Sequence, residues 1–99
     1  MEKYNGWSNY QTWRVNLEML DGMTAEEWGI SASDVEDDRS AAVSRLASTL
    51  EEYVNETVEL HASGFALDIA RSFLNAVDWY EIADHLITDV DYEIAHGKG

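Results

Sequence analysis

The chain has 99 residues, with 20 Asp and Glu against 6 Lys and Arg, which gives a formal net charge of −14 at pH 7. It has no cysteine, which excludes disulfides and thiolate metal sites, and its negative charge disfavours direct binding to nucleic acid or to an anionic membrane. Disordered acidic tails lack apolar residues, whereas 45% of this chain is hydrophobic, so we expect a folded domain with acid on its surface.

The length and composition fit one domain over residues 1–99, with a short flexible tail from about residue 96. No internal repeat and no linker divides the chain. No apolar segment follows Lys3 as in a signal peptide, and no stretch approaches the roughly 18 apolar residues of a membrane span. We therefore expect a cytoplasmic protein that does not enter a membrane.

Helix-start signals follow one another in the N-terminal third of the chain. Ser8 and Gln11 have capping-box spacing and predict a first helix that ends near Gly22. Its apolar stripe is Tyr10, Trp13, Leu17 and Leu20. Residues 24–27 and 33–36 have the same capping-box spacing, so each predicts a further helix start.

The longest periodic segment comes next, with apolar side chains in steps of three and four. Its seam is Val43, Leu46, Leu50, Tyr53, Thr57 and Leu60, and Ser63-Gly64 ends it. Residues 65–77 are apolar on more than one side, which predicts the most buried helix. Asp78 and Glu81 open a last helix whose face is Trp79, Ile82, Ala83, Leu86 and Val90. Only residues 89–94 alternate weakly, as a strand would, so the sequence predicts an all-α, single-domain acidic bundle of four to five helices.

Acidic residues concentrate in two regions that we take as candidate partner-binding surfaces. The first is Asp34, Glu36, Asp37 and Asp38 at the entry to the long helix, with Glu52, Glu56 and Glu59 on one face of its second half. The second is Asp84, Asp89, Asp91 and Glu93. The three glutamates have no cation at i±3 or i±4, so each adds repulsion of about a few tenths of a kcal/mol. They are either a solvated helix face or a coarse mimic of a phosphate array.

Catalytic chemistry has little support in the sequence. His61, His85 and His96 lie in separate segments, and the nearest metal-like pattern is Glu81 with His85 at i, i+4. No zinc-protease, nucleophile-elbow or phosphate-loop motif accompanies them. We therefore expect that the protein is not an enzyme and that it holds no metal and no cofactor. The catalytic alternative is a hydrolase that uses Glu81, His85 and Asp89.

Two short segments carry a resemblance. Residues 4–17 contain Asn9-Tyr10-Gln11-Thr12-Trp13, and residues 77–83 read Val-Asp-Trp-Tyr-Glu-Ile-Ala. In this the chain resembles a group of small proteins of phages, plasmids and their bacterial hosts that share an Asn-Tyr-x-Thr-Trp start and a later Val-Asp-Trp-x-Glu-Ile-Ala element. The resemblance implies a mobile-element accessory gene in a bacterial host cell, for which opposing restriction or CRISPR systems is a common task. The motif residues Tyr10, Trp13, Trp79 and Ile82 are interpreted as core, and Asn9 and Asp78 as caps.

Two hypotheses from different classes follow. In the first, the protein is an anti-CRISPR or anti-restriction inhibitor that acts as an acidic nucleic-acid mimic. Its partner would be a basic nucleic-acid-binding host protein, either a CRISPR effector or a restriction enzyme. In the second, it is an acidic interaction module that self-associates, as a homodimer for example, through the seam at Leu46, Leu50, Tyr53 and Leu60. Its acidity would then serve only solubility.

Overall fold

A computed structural model describes residue 4 and residues 6–96, and the all-α prediction is confirmed for this part of the chain. Five α-helices follow one another: α1 (Tyr10–Val15), α2 (Ala32–Asp37), α3 (Arg39–His61), α4 (Gly64–Leu74) and α5 (Trp79–Ala95). A π-helical turn, Asn16–Leu20, continues α1, and a 3-10 turn, Ala25–Trp28, precedes α2. The weak strand signal at residues 89–94 was wrong, because this segment is the end of α5. Most of the tail predicted from about residue 96 lies outside the described part, since residues 97–99 are not described.

Each helix start predicted from a capping pattern has a capping side chain, but two of the caps lie at a different residue from the one predicted. The capping box of Thr24 with Glu27 and the cap of α5 by Asp78 are confirmed. Asn9 caps α1 where the spacing had favoured Ser8, since the Asn9 side chain accepts from the Thr12 N–H. Likewise α2 starts in a box of Ser31 with Asp34, two residues before the box expected at residue 33. A run of Ser and Asp offers several equivalent spacings, and the tertiary fold selects one of them.

The core lies where α3 packs against α5. Leu46, Leu50 and Val54 of α3 and Ile82 and Ile87 of α5 are inaccessible to solvent. The predicted seam of α3 is therefore correct at Leu46 and Leu50 and wrong further on, since Tyr53 is 39% and Leu60 81% exposed. The buried face instead continues through Val54 to the partly buried Val58, in steps of four. Four residues are slightly more than one 3.6-residue turn, so each step moves the buried stripe further around the helix.

The helix α4 contradicts the prediction that it is the most buried. Only Leu74 of its residues is buried, whereas Phe65 is 79% and Ile69 53% exposed. Apolar side chains do lie on more than one side of this helix, as the sequence indicates, but in the described chain most of them stay partly or fully exposed. No helix in the described residues is both long enough and apolar enough to cross a membrane.

The two motif segments hold each other together. Glu81 accepts hydrogen bonds from the Ser8 N–H at 3.1 Å and from the Ser8 hydroxyl at 2.7 Å. The Asn9 side-chain amide donates to the Ala76 carbonyl, and the Asp78 N–H donates to the Thr12 hydroxyl, both at 2.8 Å. The cap roles of Asn9 and Asp78 are thus accompanied by bonds between segments more than sixty residues apart. Of the motif aromatics expected in the core, Trp13 and Trp79 are half-buried and Tyr10 is 37% exposed, while Ile82 is fully buried.

Thr12→Val tests this connection, because the Thr12 side chain is fully buried and its hydroxyl is the acceptor for the Asp78 N–H. Valine keeps the shape and leaves that N–H without its partner, so we expect a loss of about 1–3 kcal/mol in the free energy of unfolding. Urea denaturation followed by circular dichroism measures it. The matched control is Thr88→Val, since the Thr88 hydroxyl is exposed and bonds only within its own helix. An equal, small effect in both variants would contradict this role of Thr12.

Candidate functional site

The acids at the entry to α3 divide into structural and free ones. Asp34 accepts from the Ser31 N–H and hydroxyl, and these bonds, followed by the attraction of Arg45, lower the pKa of its carboxyl below the ordinary value. Asp38 caps α3 by accepting from the Ala41 N–H. Glu36 and Asp37 are exposed and form no ion pair with any described residue. Only these last two remain available to a partner without loss of a bond within the chain.

The row of glutamates on α3 is present, but one member is neutralised. Glu52, Glu56 and Glu59 are all exposed, and Glu52 and Glu59 are separated by about 10 Å along the helix axis. Arg71 of α4 binds Glu59 with an N–O distance of 2.8 Å. Among the described residues, Glu52 and Glu56 therefore form no ion pair, whereas Glu59 has a cationic partner on the next helix. A search three and four residues away along one helix does not find a cation that comes from the next helix.

The acids of α5 do not form one patch. Arg39 binds Asp84 and Asp91, each at 2.8 Å, so these two lie on the flank that faces the start of α3. Asp89 and Glu93 are exposed and lie about 140 to 180° around the helix from Asp84. The predicted second surface is therefore not continuous. Arg39 neutralises Asp84 and Asp91, whereas Asp89 and Glu93 lie on another side of α5.

All four arginines are already paired with carboxylates of the same chain. The pairs beyond those named are Arg14 with Glu18 at 2.8 Å and Arg45 with Asp34 at 3.3 Å. Arg45 lies seven residues before Glu52, on the same exposed side of α3, so it interrupts the negative surface between the acids at the start of α3 and the glutamate row. Lys3 and Lys98 lie outside the described residues. The described surface therefore offers carboxylates in excess and no arginine free to neutralise them.

A pocket that the sequence did not reveal lies beside Asp89. It has a volume of about 380 Å³ and is lined by Trp7, His85, Asp89 and Asp21, among others. The Trp7 ring stacks on the His85 imidazole with centroids 4.1 Å apart. Two carboxylates beside aromatic rings can attract a lysine or arginine side chain. These residues come from three distant segments, so no local sequence pattern could have brought them together.

The two side chains of the metal-like pattern on α5, Glu81 and His85, contact other residues. Glu81 accepts from Ser8, and His85 stacks on Trp7. Among the residues described, no group of three or more His, Asp or Glu side chains is arranged to hold a metal ion.

Comparison with known proteins places the chain in a family. The sequence model of a family of unknown function (DUF7249) matches residues 1–95, so the chain belongs to that family. Both motif segments fall inside the match. No curated protein and no solved structure matches the chain.

Proposed function

We propose that this member of the family is a non-enzymatic acidic binding protein that occupies a basic, nucleic-acid-binding groove of another protein and excludes the nucleic acid by competition. A rigid negative surface attracts cationic grooves and repels nucleic acid itself. Binding would be electrostatically steered and sensitive to salt.

The observation that carries the proposal is the excess of exposed carboxylates that remains after every arginine has been paired. Glu52 and Glu56 lie one turn apart on α3 and repel each other, and neither forms an ion pair with a described residue. The repulsion between the two glutamates destabilises the folded chain on its own. Attraction to the cations of a basic partner would offset that repulsion. Glu36, Asp37, Asp89 and Glu93 are the other candidates of the same kind.

The structure also favours a narrower contact surface than the eleven acids that the sequence suggested. Glu59, Asp84 and Asp91 would have to exchange an arginine of their own chain for one of the partner, which adds little binding energy. The pocket between Trp7, His85 and Asp89 adds a place for one cationic side chain. The proposed contact therefore consists of the free carboxylates, with that pocket as an anchor.

The resemblance of the motif segments supports a narrower version of this proposal. A mobile-element protein with this surface would be an inhibitor of a host defence system in the bacterial cytoplasm. Its partner would be a CRISPR effector or a restriction enzyme, because both hold nucleic acid in basic grooves.

The test is affinity capture from a bacterial host lysate after nuclease treatment. We expect the immobilised protein to retain nucleic-acid-binding proteins that added duplex DNA or RNA elutes. The variant E52Q/E56Q should lose them. The control E26Q/D68N removes two charges from other exposed positions and should retain them. Retention that neither the first variant nor added nucleic acid changes would contradict the proposed function.

A further inference from the structure

The face of α4 that the chain leaves uncovered is a second interaction surface. We propose that this face, centred on Phe65 and Ile69 with the groove beside them, binds a second copy of the same chain in a two-fold symmetric dimer. This is independent of the acidic surface and of its partner.

The apolar face of α4 is covered only in part. A helix of 11 residues is marginal in water unless an apolar face packs against something. Asp68, Arg71 and Ser72 lie on one side of α4, and the apolar side chains form a wide face opposite them. Only Leu74 is buried, so much of this apolar face, with Phe65 and Ile69, is open to a second molecule.

The apolar surface of α4 and the groove beside it are self-complementary. A groove of about 370 Å³ runs between α1 with its π-helical turn and α4, and its lining is almost entirely apolar, with Met19, Val58 and Phe73 among the residues. Ile69 belongs both to this lining and to the exposed face, so the projecting Phe65 ring lies next to the groove. A two-fold axis brings the same patch of two copies together, and each Phe65 can then enter the groove of the other copy.

The few charges around α4 favour a second copy over a basic partner. Residues 60–77 contain one acid, Asp68, and one arginine, Arg71, in a chain of net charge −14. Arg71 pairs with Glu59, and at the groove Arg14 pairs with Glu18, so among the described residues Asp68 is the one carboxylate of this segment without an ion pair. A basic partner finds no carboxylate row to bind here. A second copy brings an equally weakly charged, apolar surface and meets little local repulsion.

The size of the patch predicts a weak dimer. An exposed aromatic side chain contributes on the order of 150 Å² of apolar surface, whereas a stable interface buries about 800 Å² on each partner. Phe65, Ile69 and the groove lining together fall well below this area, in the range of weak and transient contacts. We expect a monomer–dimer equilibrium that depends on protein concentration.

Sedimentation equilibrium of the full chain tests this over a range of protein concentrations and at low and high NaCl. The wild type should dimerise more strongly as salt rises, since salt screens the repulsion between two strongly negative copies. Phe65→Glu and Phe65→Ser should each raise the dissociation constant at least about tenfold with unchanged helix content. The control Tyr92→Glu, which places the same charge at another exposed aromatic position on a helix, should dimerise like the wild type.

A wild-type chain that stays monomeric at every concentration and salt would overturn the proposal. So would a dimer that both Phe65 variants leave intact. Binding to a basic partner weakens with salt while the dimer strengthens, so failure of one proposal can be told apart from failure of the other.

Discussion

Reversing the charge of Glu52 and Glu56 to lysine is expected to weaken binding to a captured basic partner by at least about tenfold. Both side chains are exposed on α3 without a cation in the described residues, so the change adds four units of positive charge where the partner's own cations approach. Isothermal titration or fluorescence anisotropy against the captured protein measures the dissociation constant.

The same variant should be at least as stable as the wild type. Lysines at positions 52 and 56 repel each other as the two glutamates do, so this pair gives no net change. The lysine at position 56 exchanges a repulsion with Glu59 for an attraction of about a few tenths of a kcal/mol, and the added positive charge reduces the net charge of −14. Weaker binding together with equal or higher stability in urea is the signature of acids retained for a partner. A variant that loses stability and binding in parallel would show that Glu52 and Glu56 serve the fold.

Leu50→Ala is expected to lower the free energy of unfolding by about 2–5 kcal/mol. Leu50 of α3 is fully buried, and side chains around a truncated core residue relax only partly into the space that it leaves. Chemical denaturation of the purified variant measures the loss.

Leu60→Ala is the matched control, since the sequence period puts Leu60 on the same seam and the structure leaves it 81% exposed. We expect a change below about 0.5 kcal/mol. Equal losses in the two variants would mean that the whole predicted seam is buried, as in a coiled coil, and would contradict this fold.

The local signals of the sequence predicted the helices well because capping and period act within a few residues. The Asp78 cap and the Thr24 box are decided by neighbouring side chains, so they could be located in advance. Leu46 and Leu50 are buried as their spacing indicates. The apolar character of α4 was also visible, but burial depends on what other elements reach the helix. Composition cannot tell whether the cover comes from the same chain or from another.

The candidate site was harder to predict because ion pairs form between segments that are distant in sequence. Arg71 is twelve residues from Glu59, and Arg39 is more than forty residues from Asp84 and Asp91. A search along one helix therefore overestimates the free negative charge. The motif residues have the converse property, since their polar groups bind within the fold: Ser8 donates to Glu81, and the Thr12 hydroxyl accepts from the Asp78 N–H. The free acids Glu52 and Glu56 lie outside both motifs.

The most direct test of the central claim is a competition titration. A captured nucleic-acid-binding partner is mixed with the labelled protein and increasing duplex DNA or RNA, at NaCl from about 50 to 500 mM. The claim predicts that nucleic acid and protein exclude each other and that the affinity of the protein falls steeply with salt. A ternary complex, or an affinity that does not change over this salt range, would contradict it.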